Sequence, residues 1–194
     1  MRILIRHFDR LLRWANGVFE FCAQEECLLR LQLARASHDL HLSDGTRVRA
    51  GEPVLMLHMW NEHVPPLEVG EPDLAWAMRF RHLLIHSLQL AARWLASQPG
   101  LAGVRAIGGV TVLLPLVDER GSQRLMRRLG FDVFPHQGAL GRFGEFWENL
   151  YSWGLMWTFN GASLRHRSLL SLRRAEIWMP AERLVGRYGV PEDQ

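Results

Sequence analysis

The chain contains no lysine, so all 23 of its basic residues are arginine. That absence excludes a lysine nucleophile or Schiff base. It leaves guanidinium groups as the permanent side-chain cations, and these fork onto carboxylates and phosphates in bidentate fashion. A GC-rich genome produces the same bias, so arginine alone assigns no partner. Cysteine is scarce: Cys22 and Cys27 are the only two, too few for a zinc site of thiolates. No mark of secretion calls for a structural disulfide. Met1 to Trp14 carries Arg2, Arg6, Arg10 and Arg13 among apolar residues, so the uninterrupted apolar stretch of a signal peptide is missing. No run of about 18 apolar residues occurs, which argues against a spanning helix. Reduced thiols in the cytoplasm are the resulting expectation, with a peripheral contact at the inner membrane left open.

What is present suits one globular domain. The 194 residues are 48% hydrophobic and 22% charged, enough to build a sizeable core without the composition of a disordered chain. Apolar residues recur at helical spacing from Ile3 to Phe21, which predicts a helix, either core-facing or lying on a membrane surface. Leu28 to Arg35 alternates Leu29, Leu31 and Leu33 with Arg30, Gln32 and Ala34, the pattern of a half-buried strand. His38 to Leu42 and Arg47 to Arg49 flank the turn signal Asp44-Gly45. Val54 to Trp60 reads as an apolar strand stopped by Pro65-Pro66.

A long helix is predicted over Leu74 to Ser97 with Asp73 as its N-cap. Val104 to Leu116 reads as a strand loosened by Gly108-Gly109, and Ser122 to Leu129 as a short helix closed by Gly130. Phe131 to Phe134 follows as a strand, Phe143 to Phe159 as an aromatic-rich helix, and Ile177 to Tyr188 as a closing segment. From residue 54 onward the order strand, helix, strand predicts a crossover between parallel neighbours.

The densest group of functional side chains is His58-Met59-Trp60-Asn61-Glu62-His63, at the end of an apolar strand where α/β sheets place ligands. A two-residue period puts His58, Trp60 and Glu62 on one face and Met59, Asn61 and His63 on the other. Histidine and carboxylate on one face suit a base and its orienting partner. A solvated strand edge with a core histidine is the plain alternative. His82 and His86 stand four apart on the long helix, but Leu83 occupies the place where a metalloprotease carries glutamate. Trp147, Tyr151, Trp153, Trp157 and Phe159 suit an acyl groove, an aromatic core or a homodimer interface. Arg165, Arg167, Arg173 and Arg174 with His166 suit phosphate, an acidic carrier protein or a solvated face. No nucleic-acid module frames them.

Two resemblances follow. The stretch Leu116 to Phe131, with Asp118-Glu119, a short helix and the ending Leu129-Gly130-Phe131, resembles the closing signature of GNAT N-acetyltransferases. This implies their fold and an acyl-thioester donor. Val69 to Ala75 carries one glycine and two acids where that family's phosphate loop would stand, and Met126 occupies the place of a tyrosine acid. Carboxylates repel a pyrophosphate, so the cofactor loop reads as degenerate. Asp44-Gly45-Thr46, Ala50 to Asn61, Ile107 to Thr111, Arg128 to Phe131, Trp178-Met179-Pro180, Leu184 and Arg187 to Gly189 resemble the YkoP-like domain family. Members of that family also occur joined to polysaccharide deacetylase-like domains, which implies an envelope context but supplies no reaction.

The expectation is therefore an α/β fold: a mixed central sheet flanked by helices, GNAT-like, with a C-terminal helical extension. One domain spans 1–194, an acetyltransferase-like core over 1–140 and an aromatic-rich helical extension over 141–194. The expected activity is acyl transfer from acyl-CoA or an acyl carrier protein thioester to an amine or hydroxyl acceptor in lipid or envelope metabolism. His58, Glu62 and His63 are the catalytic candidates, and Trp60, Asn61, Trp153 and Trp157 would bind substrate. An acidic acyl carrier protein or a small lipid or amine is the expected partner; no metal is called for. The competing expectation is a non-catalytic accessory or binding domain of a polysaccharide or envelope system.

Overall fold

The structure, a computed structural model, describes residues 14–66, 74–112, 119–136 and 174–189. The described strands are β1 (Val18–Phe19), β2 (Leu29–Arg35), β3 (Leu40–His41), β4 (Arg47–Val48), β5 (Pro53–Met59), β6 (Ala106–Val112), β7 (Asp132–Pro135) and β8 (Arg174–Pro180). The described α-helices are α1 (Leu74–Ala96), α2 (Glu119–Arg128) and α3 (Ala181–Tyr188). Six strands form one sheet in the order β1-β2-β5-β6-β8-β7, and β3 with β4 makes a separate hairpin. Within the large sheet β5 and β6 run parallel and the other neighbours antiparallel. The expected mixed sheet is present, and α1 lies between its two parallel strands in the chain.

Alternation assigns the two faces of this sheet. Leu29, Leu31, Leu55, Ile107 and Met179 are buried together with Phe80, Leu84, Leu88, Ala92 and Leu95 of α1 and with Ala181, Leu184 and Tyr188 of α3. Helices therefore cover the face carrying odd-numbered residues. Ser87 ties α1 to the strand entry: its hydroxyl donates to the Leu83 carbonyl at 2.7 Å and accepts the Leu28 N–H at 2.7 Å. On the other face, Leu40, Leu42 and Val48 of the hairpin region pack on Val54, Ala106 and Trp178. The hairpin is held across to the far edge of the sheet, where the Asp132 carboxylate accepts the Ser43 N–H at 2.8 Å.

The end of α2 follows its sequence closely. Gly130 adopts φ +94°, its N–H donates to the Arg127 carbonyl at 2.9 Å, and the Phe131 N–H reaches the Met126 carbonyl at 3.0 Å. This is a Schellman ending, with glycine in the left-handed position that costs other residues most. Met126 packs against the helix-side core.

Four expectations change. Most of the first predicted helix, residues 3–13, lies outside the described residues; beyond Ala15 it does not continue to Phe21, because Gly17 turns the chain at φ +66° and Val18 and Phe19 pair with β2 instead. The helix expected from Ser122 begins at Glu119. The closing segment splits into β8 and α3, and β8 lies inside the sheet, between β6 and β7. Residues 174–180 are thus a central strand and not part of a helical extension; alternating Ala175, Ile177 and Met179 supply the apolar face that such a place requires. Finally, Cys22 and Cys27 are joined in a disulfide, not reduced, across a turn in which the Cys27 N–H donates to the Gln24 carbonyl. Asp73, the aromatic segment Phe143 to Phe159 and Arg165 to Arg173 lie outside the described residues. No described helix is long and apolar enough to cross a membrane.

Gly108 sits where β6 meets β8, opposite Trp178. A Cβ there would overlap the Ile177 carbonyl oxygen and come 2.6 Å from Trp178 Cε3, because the indole lies over the glycine. Overpacking against backbone cannot relax by a rotamer change. Gly108→Ala is expected to lower stability by about 3 kcal/mol or more, read from urea unfolding; a loss under about 1 kcal/mol would contradict the close approach.

Candidate functional site

Arg30 is the unusual residue of β2. It lies on the face away from the helices, and its side chain is only 5% exposed. A buried guanidinium must be paired. Glu20 Oε1 accepts from Nη2 at 3.0 Å and from Nε at 3.2 Å, and Glu62 Oε2 accepts from Nη1 at 3.3 Å. The guanidinium carbon stands 4.2 Å from the centroid of a Trp60 ring, a cation–π contact. Trp60 also stacks on His63, with ring centroids 3.8 Å apart. His63 Nδ1 donates to the Cys27 carbonyl at 2.9 Å.

His58 stands across the ladder from Arg30. Its Nε2 lies 2.8 Å from Gln32 Oε1, while Gln32 Nε2 donates to the Asn16 carbonyl at 2.8 Å. The second bond fixes which way the amide points. His58 Nε2 must then carry the proton, and Nδ1 carries the lone pair. Burial pushes the His58 pKa below its ordinary value, and the Arg30 charge pushes it the same way. The result is a neutral imidazole of fixed tautomer, the form of a general base.

Just before His58 the β5–β6 pairing ends, with Leu57 and Gly109 still in close backbone contact. The β5–β6 ladder pairs Leu55 with Ile107 and Met56 with Gly108, although β5 continues to Met59 and β6 to Val112. The Trp60 N–H donates to the Leu28 carbonyl of the β2 side at 2.7 Å. By alternation the Met59 backbone points the other way, toward β6, where it has no ladder partner. Val110 is 39% exposed, and continuing the register places it opposite His58.

The row continues into a second polar group. Val110 pairs with Glu176, and Glu176 with Phe134. The Glu176 side chain is 8% exposed. His136 Nδ1 donates to its Oε1 at 3.2 Å and Trp178 Nε1 to its Oε2 at 3.1 Å. His38 Nε2, from the hairpin root, lies 3.5 Å from Oε2. Two distant chain segments, carrying His38 and His136, thus converge with the neighbouring Trp178 on one buried carboxylate.

The structure gathers His58, Trp60, Glu62 and His63 around Arg30, but not in the expected roles. Glu62 is bound to Arg30, and Gln32 is the partner that orients His58. The two-residue period ends at Met59: residues 61–64 form a turn, the His63 N–H donates to the Trp60 carbonyl at 2.9 Å, and the two rings stack. His63 is therefore beside Trp60 instead of on the opposite face. Asn61 is half-buried in that turn. Trp153 and Trp157 lie outside the described residues. His86 Nε2 meets Gln24 Oε1 at 2.9 Å, and among the described residues no group of three or more His, Cys, Asp or Glu is set to hold a metal.

Arg30, Gln32, Glu20, Glu176, His136 and His38 escaped the sequence reading. Arg30 and Gln32 look like the solvent side of an alternating strand. Glu176 carried a signal: it is a lone carboxylate in the apolar run Ala175 to Met179.

A family model, the YkoP domain, matches residues 2–188. The chain belongs to the YkoP domain family. No curated protein and no solved structure was found to match it. The matched span of this YkoP domain includes both polar groups of the sheet face.

Two tests address the geometry of the YkoP domain. Neutralising one carboxylate, Glu20→Gln or Glu62→Gln, should cost about 1 kcal/mol or less, since both are partly exposed and the other remains. The double variant leaves the buried Arg30 unpaired and should cost about 3 kcal/mol, more than the sum; additive losses in a double-mutant cycle would refute shared pairing. The second test concerns His58. With its pKa below the unfolded value of 6.5, the folded state binds fewer protons than the unfolded state as pH falls through about 6.5. Stability contributed by the neutral ring is present above that pH and lost below it, by up to about 1.4 kcal/mol per pH unit until the folded ring protonates. Urea midpoints at about pH 7.5 and about pH 5.5 should differ less in His58→Gln than in the unsubstituted protein.

Proposed function

We propose that this YkoP domain transfers an acyl group from a thioester, acyl-CoA or an acyl carrier protein, to an amine or hydroxyl acceptor in lipid or envelope metabolism. The observation that carries the reading is the tautomer-fixed His58, whose pKa burial lowers, beside the end of the β5–β6 pairing. His58 Nδ1 takes the proton of the attacking amine or hydroxyl. The Met59 N–H holds the thioester carbonyl oxygen as charge develops on it, the task of an oxyanion donor. Met56 and exposed Val110 give the acyl chain an apolar floor. In this reading Glu62 and His63 support the site through Arg30 and Trp60, Asn61 stands at its rim, and Trp153 and Trp157 bind the acyl chain.

A carrier-bound donor calls for a basic docking face, which the lysine-free, arginine-rich surface supplies to an acidic acyl carrier protein. Thioester donors keep the domain in the cytoplasm, with a peripheral contact at the inner membrane. The Cys22–Cys27 bond pulls the other way, because cytosolic thiols are kept reduced.

One observation favours a second reading, a non-catalytic accessory domain of an envelope system. Arg30, Glu62, Trp60 and His63 are engaged with one another. Such a domain tolerates substitution at His58 and Glu62 and co-purifies with a protein partner.

The test is thiol release from acetyl-CoA and from an acyl carrier thioester in the presence of amine and hydroxyl acceptors. Release should depend on acceptor, and His58→Ala should slow it by about 100-fold or more. No release above background from either donor, or an unaffected His58→Ala, overturns acyl transfer in favour of the accessory domain.

A further inference from the structure

We infer that the cleft between the end of α2, the start of β7 and the β3–β4 hairpin binds a small zwitterion, a molecule carrying both an acidic group and an ammonium group. The inference stands apart from acyl transfer and involves neither His58 nor Arg30. The cleft has a volume of about 500 Å³, and Arg127, Asp132, Phe134, His41, Ser43 and Arg183 are among the residues that line it. That volume falls within the range of small-molecule sites.

The charges of the cleft are divided in an unusual way. Arg183 is already engaged: its Nη1 donates to the Gly130 carbonyl at 3.0 Å, and its Nη2 lies 3.4 Å from Asp44 Oδ2. Arg127 is exposed in the last turn of α2 and has no hydrogen-bond or ion-pair partner among the described residues. Asp132 is half-buried at the start of β7. Its Oδ2 accepts the Ser43 N–H at 2.8 Å, and among the described residues its Oδ1 accepts no hydrogen bond. Two opposite charges therefore line one cleft without touching each other. The backbone between them is fixed. Gly130 turns it at φ +94° with its N–H on the Arg127 carbonyl, and the hairpin holds Asp132 from the other side.

This arrangement selects by charge. A lone anion drawn to Arg127 meets the Asp132 carboxylate, and a lone cation drawn to Asp132 meets Arg127 and Arg183; like charges brought together oppose binding. A zwitterion satisfies both. Its acidic group takes the Arg127 fork in bidentate fashion, and its ammonium donates to Asp132 Oδ1. Phe134 stands two residues after Asp132, so it shares that face of β7 and offers an apolar wall to the body of the ligand. The Ser43 hydroxyl and the His41 ring complete a polar rim. Free α-amino acids and the ethanolamine phosphate headgroup of a lipid share this chemistry.

Calorimetric titration of the whole chain tests the inference with three probes of one shape: leucine, leucinamide, which lacks the acid, and N-acetylleucine, which lacks the ammonium. Both contacts lie at the edge of water, so leucine should bind about fivefold or more tighter than either analogue. Arg127→Gln should leave leucine no better than leucinamide. Asp132→Asn, which keeps an acceptor for the Ser43 N–H, should leave it no better than N-acetylleucine. Phosphoethanolamine, set against ethanolamine and methyl phosphate, puts the same question to a headgroup. A zwitterion preference in either series supports the inference and names its source. Leucine and N-acetylleucine binding equally, with phosphoethanolamine no better than methyl phosphate, make this an anion site and overturn it. Binding of neither zwitterion, or a preference unchanged in both variants, also overturns it. None of these outcomes bears on His58 as base.

Discussion

A guanidinium taken out of water has to be neutralised where it is buried, and Arg30 imposes that requirement on everything around it. Glu20 and Glu62 come from opposite sides in the chain to meet it, and Trp60 lies against its flat face. To reach Arg30, the chain after β5 must turn at once instead of running on, which brings His63 onto Trp60. The same charge sits across the ladder from His58 and works with burial to keep that ring neutral. One buried cation therefore sets the turn, the aromatic stack and the protonation state of the nearest base.

The sheet divides its labour by face. Helices bury the middle of one side, where Leu31, Leu55, Ile107 and Met179 lie, so that side specifies the fold. The other side is only partly roofed by the β3–β4 hairpin. Its polar residues come in two groups, one around Arg30 and one around Glu176, separated by Val110. Such groups are costly to build, since each buried polar atom needs a partner. Their presence on the same open strip is what makes that strip the candidate site.

Much of the architecture was legible because it rests on local rules. Apolar alternation located β2, an apolar run located β5, the Asp44-Gly45 turn located the hairpin, the long apolar stripe located α1, and Gly130 closed α2 as a left-handed glycine should. What failed was non-local. Whether Val18-Phe19 continues a helix or adds a strand depends on β2 being available to pair, and helical spacing alone does not say. Whether Arg174 to Pro180 joins the sheet depends on two other strands leaving a place for it. The site shows the same division. His58 to His63 stood out as a polar cluster, but the partners that give those side chains their roles lie 26 to 32 residues away, at Gln32 and Arg30. The Glu176 group spans an even longer separation and has no local pattern at all.

The place of β8 has a consequence for how this protein is made. It is the last of the described strands, yet it lies between β6 and β7 and is the sheet neighbour of both. Until the ribosome has released it, β6 presents a bare edge and β7 has no strand to join. Open edges of this kind recruit other chains, and long-range pairing is slow to form. A nascent chain must therefore carry an unfinished sheet from the making of β6 until β8 emerges. The interval before β8 docks is when chaperones and aggregation compete for it.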